Sequence, residues 1–348
     1  MRILIVKLSS LGDVVHAMPA VQDLRQALAP TETNAATGDG PSIDWVVERD
    51  FAPLVRRCAG VDRTIESDIR RWRKTPWRSE TRRAFKIFLA ELRQHAYDAV
   101  IDLQGLTKSA LVGRLARLSP SGRRYGLANR TEGSSHEAPA RWLVDVAIRL
   151  EPRIHVVSRG RELCARALAY PLPKTLSYGL QLQTDAGRSA AGPFESGSAA
   201  AASVRRPLVL LVHGTSRVDK LWPEAHWVEL GQRIINQGYR VALLHGGEEE
   251  QLRSQRIARA LGRQASVWPR MDLDTLLDQM ARANGVIGVD SGLSHIAVAL
   301  DLPHVQIYNF DTAWRTGPQA AEHQRSVVAQ PAPTVDAVWN LWQQVLHA

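Results

Sequence analysis

Residues 2–28 read RILIVKLSSLGDVVHAMPAVQDLRQAL, and this stretch decides the fold that we expect. An apolar run at 3–6 is typical of a buried strand, and a turn with two serines and a glycine follows it. From about residue 12 to about residue 28, apolar side chains recur at helical spacing, which predicts a helix. A strand, a turn and a helix in this order predict one repeating unit of a parallel α/β sheet.

The same alternation continues along the chain. Further strands are expected at 43–47, 99–103, 208–212, 241–244, 286–289 and 305–308. Further helices are expected at 85–92, 110–118, 226–236, 248–261, 273–281, 293–300 and 334–347. The alternation begins again after residue 206, and 348 residues exceed the roughly 250–300 at which one hydrophobic core stops growing. We therefore expect two α/β domains, each with a parallel sheet and helices on both faces.

Two stretches rich in small residues interrupt this pattern. Residues 185–206 contain almost no large apolar side chains, which predicts a linker or insertion, and 31–42 predicts an expanded surface loop. The expected organisation is an N-terminal domain at 1–175, a linker or insertion at 176–206, a C-terminal domain at 207–330, and a terminal helix at 331–348 that packs back on the N-terminal domain.

The composition is that of a soluble globular protein, with 45% hydrophobic and 23% charged residues. Cys58 and Cys164 are the two cysteines, and two distant thiols make neither a disulfide framework nor a Cys-x-x-Cys metal site. The apolar run at 3–6 is too short for a secretory core, so no secretory leader is expected, and the sequence has no apolar run of about 18 residues. We therefore expect a cytoplasmic protein.

A net charge of +9 favours anionic partners such as nucleic acid, acidic lipid or phosphorylated substrates. Part of this charge is concentrated at 69–83, which reads IRRWRKTPWRSETRR. The segment is either a solvated helix face or a docking surface, and the interleaved Trp72 and Trp77 favour docking at a lipid headgroup boundary. A nucleic-acid-binding protein is the alternative of another class, but the chain has no ribonucleoprotein, KH or zinc-finger signature.

The first candidate site is the turn at 7–16, which reads KLSSLGDVVH. In open α/β sheets, ligands bind beyond the carboxyl ends of the strands, where helix N-termini offer unpaired N–H groups. Ser9, Ser10 and Gly12 let the backbone approach a ligand closely, and Asp13 is either a catalytic carboxylate or a cap of the helix. The turn lacks Gly-x-Gly-x-x-Gly, so a dinucleotide site is not supported.

Three turns in the second half also carry polar residues. The loop HGTSRVDKLWP at 213–223 contains Arg217 and Lys220, which suits a phosphate group but also an ordinary polar loop. The segment VDSGLSHIAVAL at 289–300 places a helix N-terminus after a strand, and such N-termini attract phosphate. A hydrolase triad there is disfavoured, because no Gly-x-Ser-x-Gly elbow is present. The glutamates at 248–250 either begin a helix or bind ribose hydroxyls.

Five segments together resemble the lipopolysaccharide heptosyltransferases, which form glycosyltransferase family 9. They are the N-terminal run quoted above, RRWRK at 70–74, YDAVIDLQGLTKSA at 97–110, HGTSRVDKLWPEAHW at 213–227 and VDSGLSHIAVAL at 289–300. Five motifs in one order are more specific than any one of them, and the resemblance spans the chain apart from 31–42 and 185–206. RRWRK and YDAVIDLQGLTKSA look closest to the heptosyltransferase I branch.

The resemblance implies a GT-B fold, in which two Rossmann-like domains with parallel sheets face each other across a cleft. It implies an inverting glycosyltransferase that moves L-glycero-D-manno-heptose from ADP-heptose to the Kdo of the lipid A inner core. The alternative within the family is transfer to an inner-core heptose, as in heptosyltransferase II. RRWRK favours Kdo, because arginine pairs well with the carboxylate of that sugar.

Carried over by motif, the resemblance makes Asp13 the catalytic base. Donor binding is expected in the C-terminal domain at Thr215, Ser216, Lys220, Glu250, Met271, Asp290, Ser291, Gly292, Leu293 and His295. Acceptor binding is expected in the N-terminal domain at Lys7, Ser9, Ser10, Gly12, Arg70, Arg71, Arg73 and Lys74. At 129–141 the match to the family is poor, and an acceptor-site arginine of the family has no clear counterpart there, with His136 and Arg141 as the two candidates.

In the implied reaction, Asp13 removes the proton of the acceptor hydroxyl, and burial in a closed cleft is expected to raise the pKa of this carboxyl. Lys220 and the N–H groups at 291–293 are expected to stabilise the leaving diphosphate, so neither a metal nor another cofactor is expected. We expect a monomer without a nucleic-acid partner. It should meet Kdo-lipid A at the cytoplasmic face of the inner membrane, in peripheral contact through the 69–83 segment.

Overall fold

The computed structural model describes residues 1–30, 40–182, 206–319 and 321–348. Most of the predicted loop at 31–42 and of the predicted insertion at 185–206 lies outside the described residues. The chain divides into two compact units, Met1–Gln181 and Leu182–Ala348. Each unit contains one six-stranded parallel sheet, as the two series of βα units predict.

The described residues of the first unit form six strands and six α-helices. The strands are β1 (Arg2–Val6), β2 (Ser42–Glu48), β3 (Arg63–Ser67), β4 (Ala96–Asp102), β5 (Arg117–Leu127) and β6 (Val146–Ile148). The helices are α1 (Leu11–Ala27), α2 (Ala52–Arg56), α3 (Ile69–Trp72), α4 (Ser79–Leu92), α5 (Thr107–Leu115) and α6 (Val156–Leu168). A short 3-10 helix, Ala138–Leu143, lies between β5 and β6. The strands pair in the order β3-β2-β1-β4-β5-β6.

Helices cover both faces of this first sheet. α1 and α6 pack against each other, while α4 and α5 bury Phe88, Leu92 and Val112 in one apolar cluster with the strands. The connections from β1 to β3 step one way across the sheet, and those from β3 to β6, which contain α4 and α5, step the other way. Right-handed crossovers therefore put α4 and α5 on the face opposite α1. β1 lies at the centre, and its residues 3–6 are fully buried.

The second unit repeats this plan. Its strands are β7 (Leu208–Val212), β8 (Arg240–Leu243), β9 (Ala265–Val267), β10 (Gly285–Val289), β11 (His304–Tyr308) and β12 (Gln324–Val328). Its helices are α7 (Glu224–Asn236), α8 (Glu248–Leu261), α9 (Leu273–Met280), α10 (Gly292–Ala299), α11 (Ala313–Thr316) and α12 (Val335–Leu346). The strands pair in the order β12-β11-β10-β7-β8-β9, which is the order of the first sheet.

The terminal helix α12 belongs to the core of the second unit. Val338 and Trp342 are fully buried there, and the helix packs against β11 and β12. The Trp342 ring lies over Gly285, where a side chain would collide with it. That the same helix also packs back on the first domain stays a prediction.

Both sheets have a topological switch point between their two central strands. In the first sheet it lies between β1 and β4, and in the second between β7 and β10. Ligands of open α/β sheets bind beyond the carboxyl ends of the strands at such points. The polar turns at 7–13 and 102–104 follow the first pair, and those at 213–220 and 290–295 follow the second. The topology therefore provides one candidate site on each unit.

The predicted strands and helices are all present, and the errors are elements that were missed and one helix end. Five strands were not predicted: β3, β6, β9 and β12, which are edge strands, and β5, which lies between β4 and β6. The helices α2, α3, α6 and α11 were not predicted either. β12 reads QRSVV, so it lacks the apolar run that marks a central strand. The helix predicted at 110–118 is wrong at its end, since β5 begins at residue 117. Among the described helices, none has the length and apolar character needed to cross a membrane.

Candidate active site

Ser10 is the N-cap of α1, and Asp13 stands in the first turn of that helix. The Ser10 backbone N–H donates to Asp13 Oδ2 at 3.0 Å, and the Ser10 hydroxyl donates to the same oxygen at 2.9 Å. The capping interpretation of Asp13 is therefore confirmed, although the cap position itself belongs to Ser10. The Asp13 side chain is 36% exposed, so capping leaves it accessible to a ligand.

Lys7 follows β1 and has a buried side chain. Its Nζ lies 3.4 Å from Asp13 Oδ1 and donates to the Leu103 carbonyl at 3.3 Å. Burial raises the pKa of Asp13, but the Lys7 charge and the Ser10 hydrogen bonds lower it more, to about 2. Asp13 is therefore ionised at neutral pH in this conformation, and the raised pKa expected in a closed cleft stays a prediction.

The turn after β4 holds the turn after β1 in place. Gln104 Oε1 accepts the backbone N–H groups of Leu8 at 3.1 Å and Ser9 at 3.2 Å. Asp102 in turn accepts the Gln104 N–H at 2.9 Å and the Ser109 hydroxyl at 2.9 Å. Burial raises the pKa of Asp102 to about 6. Two turns that are far apart in the sequence thus form one hydrogen-bonded unit.

A small recess opens beside Asp13. Its polar lining is Lys7, Asp13, His16 and Arg159, and its large apolar side chains are Leu103, Leu127, Val156 and Leu163. Arg159, on α6, is 8% exposed and donates to Thr131 Oγ1 at 3.1 Å. Two cationic side chains therefore share a small space with one carboxylate. Such a recess can bind an anionic group while a hydroxyl of the same ligand meets Asp13.

The predicted basic acceptor residues, Arg70, Arg71, Arg73 and Lys74, are exposed on α3 and just after it. Arg71 lies 3.8 Å from Asp68, and the Arg70 guanidinium stands over the Phe51 ring at 5.9 Å. The described side chains that line the recess beside Asp13 are others. Acceptor binding by this basic group stays a prediction.

Asp290 is the centre of the site on the second unit. Lys220 Nζ donates to its Oδ2 at 2.6 Å, and His295 Nε2 lies 3.2 Å from its Oδ1. The Thr316 hydroxyl donates to the same Oδ1 at 3.4 Å. Burial raises the pKa of Asp290, but hydrogen bonds and charge from His295 and Lys220 outweigh it and hold this pKa well below its ordinary value. Asp290 therefore fixes a cationic side chain at the end of β10.

The loop at 213–220 is tied to the ends of two neighbouring strands. The Thr215 hydroxyl donates to the Asp290 carbonyl at 3.1 Å. Asn309, which follows β11, donates its Nδ2 to the carbonyls of Asp219 at 3.0 Å and Leu221 at 2.9 Å. These bonds shape the loop and leave Ser216 exposed to solvent.

Glu250 lies against this same loop. Its Oε2 accepts the Gly246 N–H at 2.6 Å, and a Cβ on Gly214 would come within 2.6 Å of its Cδ. The glycine thus lets the carboxylate approach the loop backbone closely. Met271 is half-buried in the turn before α9, and its contact with the donor stays a prediction.

Ser291 is the N-cap of α10, and Gly292 and Leu293 open that helix. The first N–H groups of a helix have no partner within it, so they point outward as donors. The Ser291 hydroxyl lies 3.5 Å from that of Ser294, while His295 turns to the Asp290 carboxylate instead. The geometry suits an anion at the helix terminus better than a serine nucleophile.

Comparison with known proteins supports a single family. The family model described as glycosyltransferase family 9 (heptosyltransferase) matches residues 86–338. The lipopolysaccharide heptosyltransferase 1 of Pseudomonas aeruginosa is 36% identical over 309 residues, which are 88% of this chain and 78% of the relative. The structure of E. coli heptosyltransferase WaaC with ADP has a TM-score of 0.79 and 32% identity, over 99% of this chain and 100% of that one. WaaC with ADP-2-deoxy-2-fluoro heptose has a TM-score of 0.75 and 33% identity, over 99% of each chain.

The chain belongs to glycosyltransferase family 9. The predicted resemblance is confirmed, and with it the assignment as a glycosyltransferase. The two six-stranded parallel sheets are the Rossmann-like units of a GT-B-like fold. That the two sheets face each other across a cleft stays a prediction.

Sequence reasoning missed several residues that shape the two candidate sites. Asp102 and Gln104 lie in a motif that carried the resemblance, and two polar residues right after an apolar strand were the available signal. Asn309 follows β11 in the same way. Arg159 reaches the recess from α6, and no local pattern marks it.

The part of the chain that the structure describes contains no group of three or more His, Cys, Asp or Glu side chains able to hold a metal ion. Transfer without a metal stays a prediction. The two cysteines are buried and free, and burial raises the pKa of the Cys58 thiol to about 12. Such a thiol suits packing rather than nucleophilic chemistry.

Proposed function

We propose that this glycosyltransferase moves L-glycero-D-manno-heptose from ADP-heptose to the Kdo of the lipid A inner core, a step of lipopolysaccharide core biosynthesis. The observation that carries the proposal is the pair of polar sites at the two switch points. One is a carboxylate beside two cationic side chains, and the other is a cation at a helix N-terminus. The named relatives support the substrates, since one is a lipopolysaccharide heptosyltransferase 1 and WaaC is known with ADP and a fluorinated ADP-heptose.

The second unit takes the donor. Lys220, held by Asp290, meets the diphosphate together with the Thr215 and Ser216 hydroxyls and the free N–H groups of Ser291, Gly292 and Leu293. These donors are in place before the reaction, so they stabilise the charge that develops on the departing ADP without reorganising. His295 lies at the same helix terminus and contacts the sugar or the phosphate. Glu250 binds the ribose hydroxyls, and Met271 packs beside the adenine.

The first unit takes the acceptor and performs the proton transfer. The acceptor hydroxyl attacks the anomeric carbon of the heptose as the bond to ADP breaks, and its proton passes to Asp13. One displacement inverts the configuration at that carbon. Ser9, Ser10 and Gly12 form the backbone wall of this turn.

Acceptor binding also tunes the base. A carboxyl with a pKa of about 2 is a weak base. An anionic acceptor that pairs with Lys7 screens the charge that depresses this pKa, and Arg159 offers a second cation to the same anion. The pKa of Asp13 then rises, because burial is left as the largest influence on it. Kdo carries the carboxylate that such an exchange requires.

The acceptor is a lipid, so the enzyme meets it at the cytoplasmic face of the inner membrane as a peripheral protein. The basic residues Arg70, Arg71, Arg73 and Lys74 contact the acceptor anions, and the surrounding segment 69–83 contacts the membrane. The protein works as a monomer, without a metal, another cofactor or a nucleic-acid partner.

The deciding experiment incubates purified protein with ADP-heptose and Kdo-lipid A and measures ADP release and a mass shift of one heptose. Asp13→Asn keeps an oxygen for the Ser10 hydrogen bonds but cannot accept the proton. We expect kcat to fall by about 10²–10⁴, while calorimetry finds the affinity for ADP unchanged.

Turnover of Asp13→Asn close to that of the wild type would remove Asp13 from the role of base. A mass shift only on an acceptor that already carries a heptose would assign the heptosyltransferase II reaction instead. Absence of heptose transfer to either acceptor would refute the proposed function.

A further inference from the structure

Two tryptophans of this chain stand out by their exposure. The chain has ten, all within the described residues, and Trp77 and Trp142 are 86% and 71% exposed. The other eight are buried or half-buried. A tryptophan held in water forgoes the burial of a large apolar area, so exposed tryptophans mark contact surfaces.

Both exposed tryptophans belong to the same face of the first sheet. Trp77 lies between α3 and α4. Trp142 lies on the 3-10 helix Ala138–Leu143, which packs against α5, and its ring lies 5.2 Å from the Arg141 guanidinium. α4 and α5 cover the face opposite α1, as described above.

The outer surface of α4 and α5 between these tryptophans is also partly apolar. Phe85 on α4 is 38% exposed and Leu111 on α5 is 49% exposed. The two helices are joined at their C-terminal ends, where Arg93 Nε donates to the Leu115 carbonyl at 2.8 Å. Phe85 is held by an edge-to-face contact with Trp72, whose ring centroid is 5.7 Å away. We name the surface formed by Trp77, Phe85, Leu111 and Trp142 the α4–α5 face.

Cations surround these apolar groups. Residues 69–93 contain nine Lys or Arg and only two Glu, so this segment carries most of the net charge of +9 of the whole chain. Arg78, Arg82 and Lys86 are exposed on α4 and just before it. Arg114 is exposed on α5 beside Leu111. Exposed aromatic and aliphatic groups among cations are the pattern of a surface that lies in an anionic lipid interface.

We propose that the α4–α5 face docks on an anionic phospholipid bilayer, with Trp77 and Trp142 inserted at the headgroup boundary. The proposal rests on the peripheral membrane contact proposed above. It extends the membrane-binding surface from the 69–83 segment to α4, α5 and the 3-10 helix. α5 begins three residues after Gln104, so the docked face starts at the edge of the Asp13 site. A lipid acceptor can then reach that site without leaving the bilayer surface.

The test is sedimentation of the full-length protein with vesicles of phosphatidylethanolamine and phosphatidylglycerol in equal parts, without any acceptor. We expect binding to these vesicles, little binding to phosphatidylcholine vesicles, and weaker binding as salt rises. Trp77→Ser with Trp142→Ser should lower the partition coefficient roughly tenfold. Arg82→Gln with Lys86→Gln should lower it roughly tenfold to thirtyfold.

The control is Leu172→Ser with Val328→Ser, which removes two apolar side chains that are 41% and 40% exposed and do not belong to the α4–α5 face. We expect it to bind vesicles like the wild type. All variants are first compared by thermal unfolding, which exposed substitutions should change little.

Equal vesicle binding by the tryptophan variant and the wild type would overturn the proposal, as would equal binding to phosphatidylcholine. If the wild type is a dimer that the tryptophan substitutions dissociate and does not bind vesicles, the face is an interface between copies and the proposal is wrong. Heptose transfer to a deacylated, water-soluble Kdo acceptor is measured in parallel. Failure of that reaction would count against the proposed function and leave the vesicle result standing.

Discussion

Replacing Gln104 by Leu removes one acceptor from two backbone donors. Gln104 Oε1 accepts the N–H groups of Leu8 at 3.1 Å and Ser9 at 3.2 Å, and both of those residues are buried. Each hydrogen bond contributes about 1 kcal/mol net, but a buried N–H left without a partner costs about 1–3 kcal/mol. Gln104 itself is half-buried, so water takes up part of the loss. We expect the free energy of unfolding to fall by about 2–3 kcal/mol.

The same substitution should slow the reaction, because the freed turn continues directly into Ser10 and Asp13. A shift of about 1 Å in a reacting group can cost roughly 10²-fold in rate. Thermal unfolding followed by circular dichroism should show a decrease of about 5–10 °C. ADP release, measured well below both melting temperatures, should show kcat lowered roughly 10²-fold with the affinity for ADP unchanged.

Gln104→Glu is the matched control, since it keeps an oxygen at the acceptor position. It should recover most of the melting temperature that Gln104→Leu loses. If Gln104→Leu melts and turns over like the wild type, the hydrogen bonds to residues 8 and 9 do not hold the turn. If only the melting temperature falls, Gln104 stabilises the unit but does not position Asp13.

Three further substitutions test the charges of the two sites. Lys7→Met should raise the pKa of Asp13 from about 2 by roughly 1–3 units, as screening at 3.4 Å between the two charges allows. An acid limb should then appear near about pH 3–5 in kcat/KM for the acceptor, because this ratio reports the free enzyme, while Lys7→Arg keeps the wild-type profile; profiles of equal shape for all three would contradict the pKa argument. Lys220→Met leaves the Asp290 carboxylate, which is 5% exposed, without its ammonium partner. The free energy of unfolding should therefore fall by about 2–3 kcal/mol, and ADP should bind roughly tenfold more weakly. Because folding lowers the pKa of Asp290, this stabilisation is complete above the pKa of an unfolded aspartate, about 3.9, and is lost as the pH falls from there towards the pKa in the folded protein. Equal melting temperatures of Lys220→Met and Lys220→Arg from neutral pH to pH 4 would refute this stabilisation. Glu250→Gln should abolish a roughly tenfold preference for ADP over 2′-deoxy-ADP in calorimetry, and a preference that persists would exclude a ribose contact.

Much of the fold follows from local pattern, and an edge strand shows one way in which pattern fails. Central strands such as β1 and β7 are buried on both faces, so they read as continuous apolar runs. β12 is an edge strand with polar residues, and its strand conformation depends on pairing with β11. Pairing with a distant neighbour leaves no local periodicity, and sequence reasoning therefore missed it.

The candidate sites divide in the same way. Asp13, Lys220 and Asp290 follow apolar strands, and the carboxyl ends of strands are where such sheets bind ligands. Arg159 reaches the Asp13 recess from α6, which packs on α1 only in the folded unit. Its place in the site could not be predicted, because no spacing in the chain relates it to the turn after β1.

The amino-acid sequence by itself determined the strand–turn–helix that begins with residues 2–28 and the presence of Asp13 in its turn, since both follow from local periodicity and residue type. The tertiary structure alone decided the state of that carboxyl. Lys7 Nζ at 3.4 Å and the Ser10 hydrogen bonds give Asp13 a pKa of about 2, where burial alone predicted a raised value. The physical reason is that a pKa depends on the distances from other charges and on solvent access, and folding sets both.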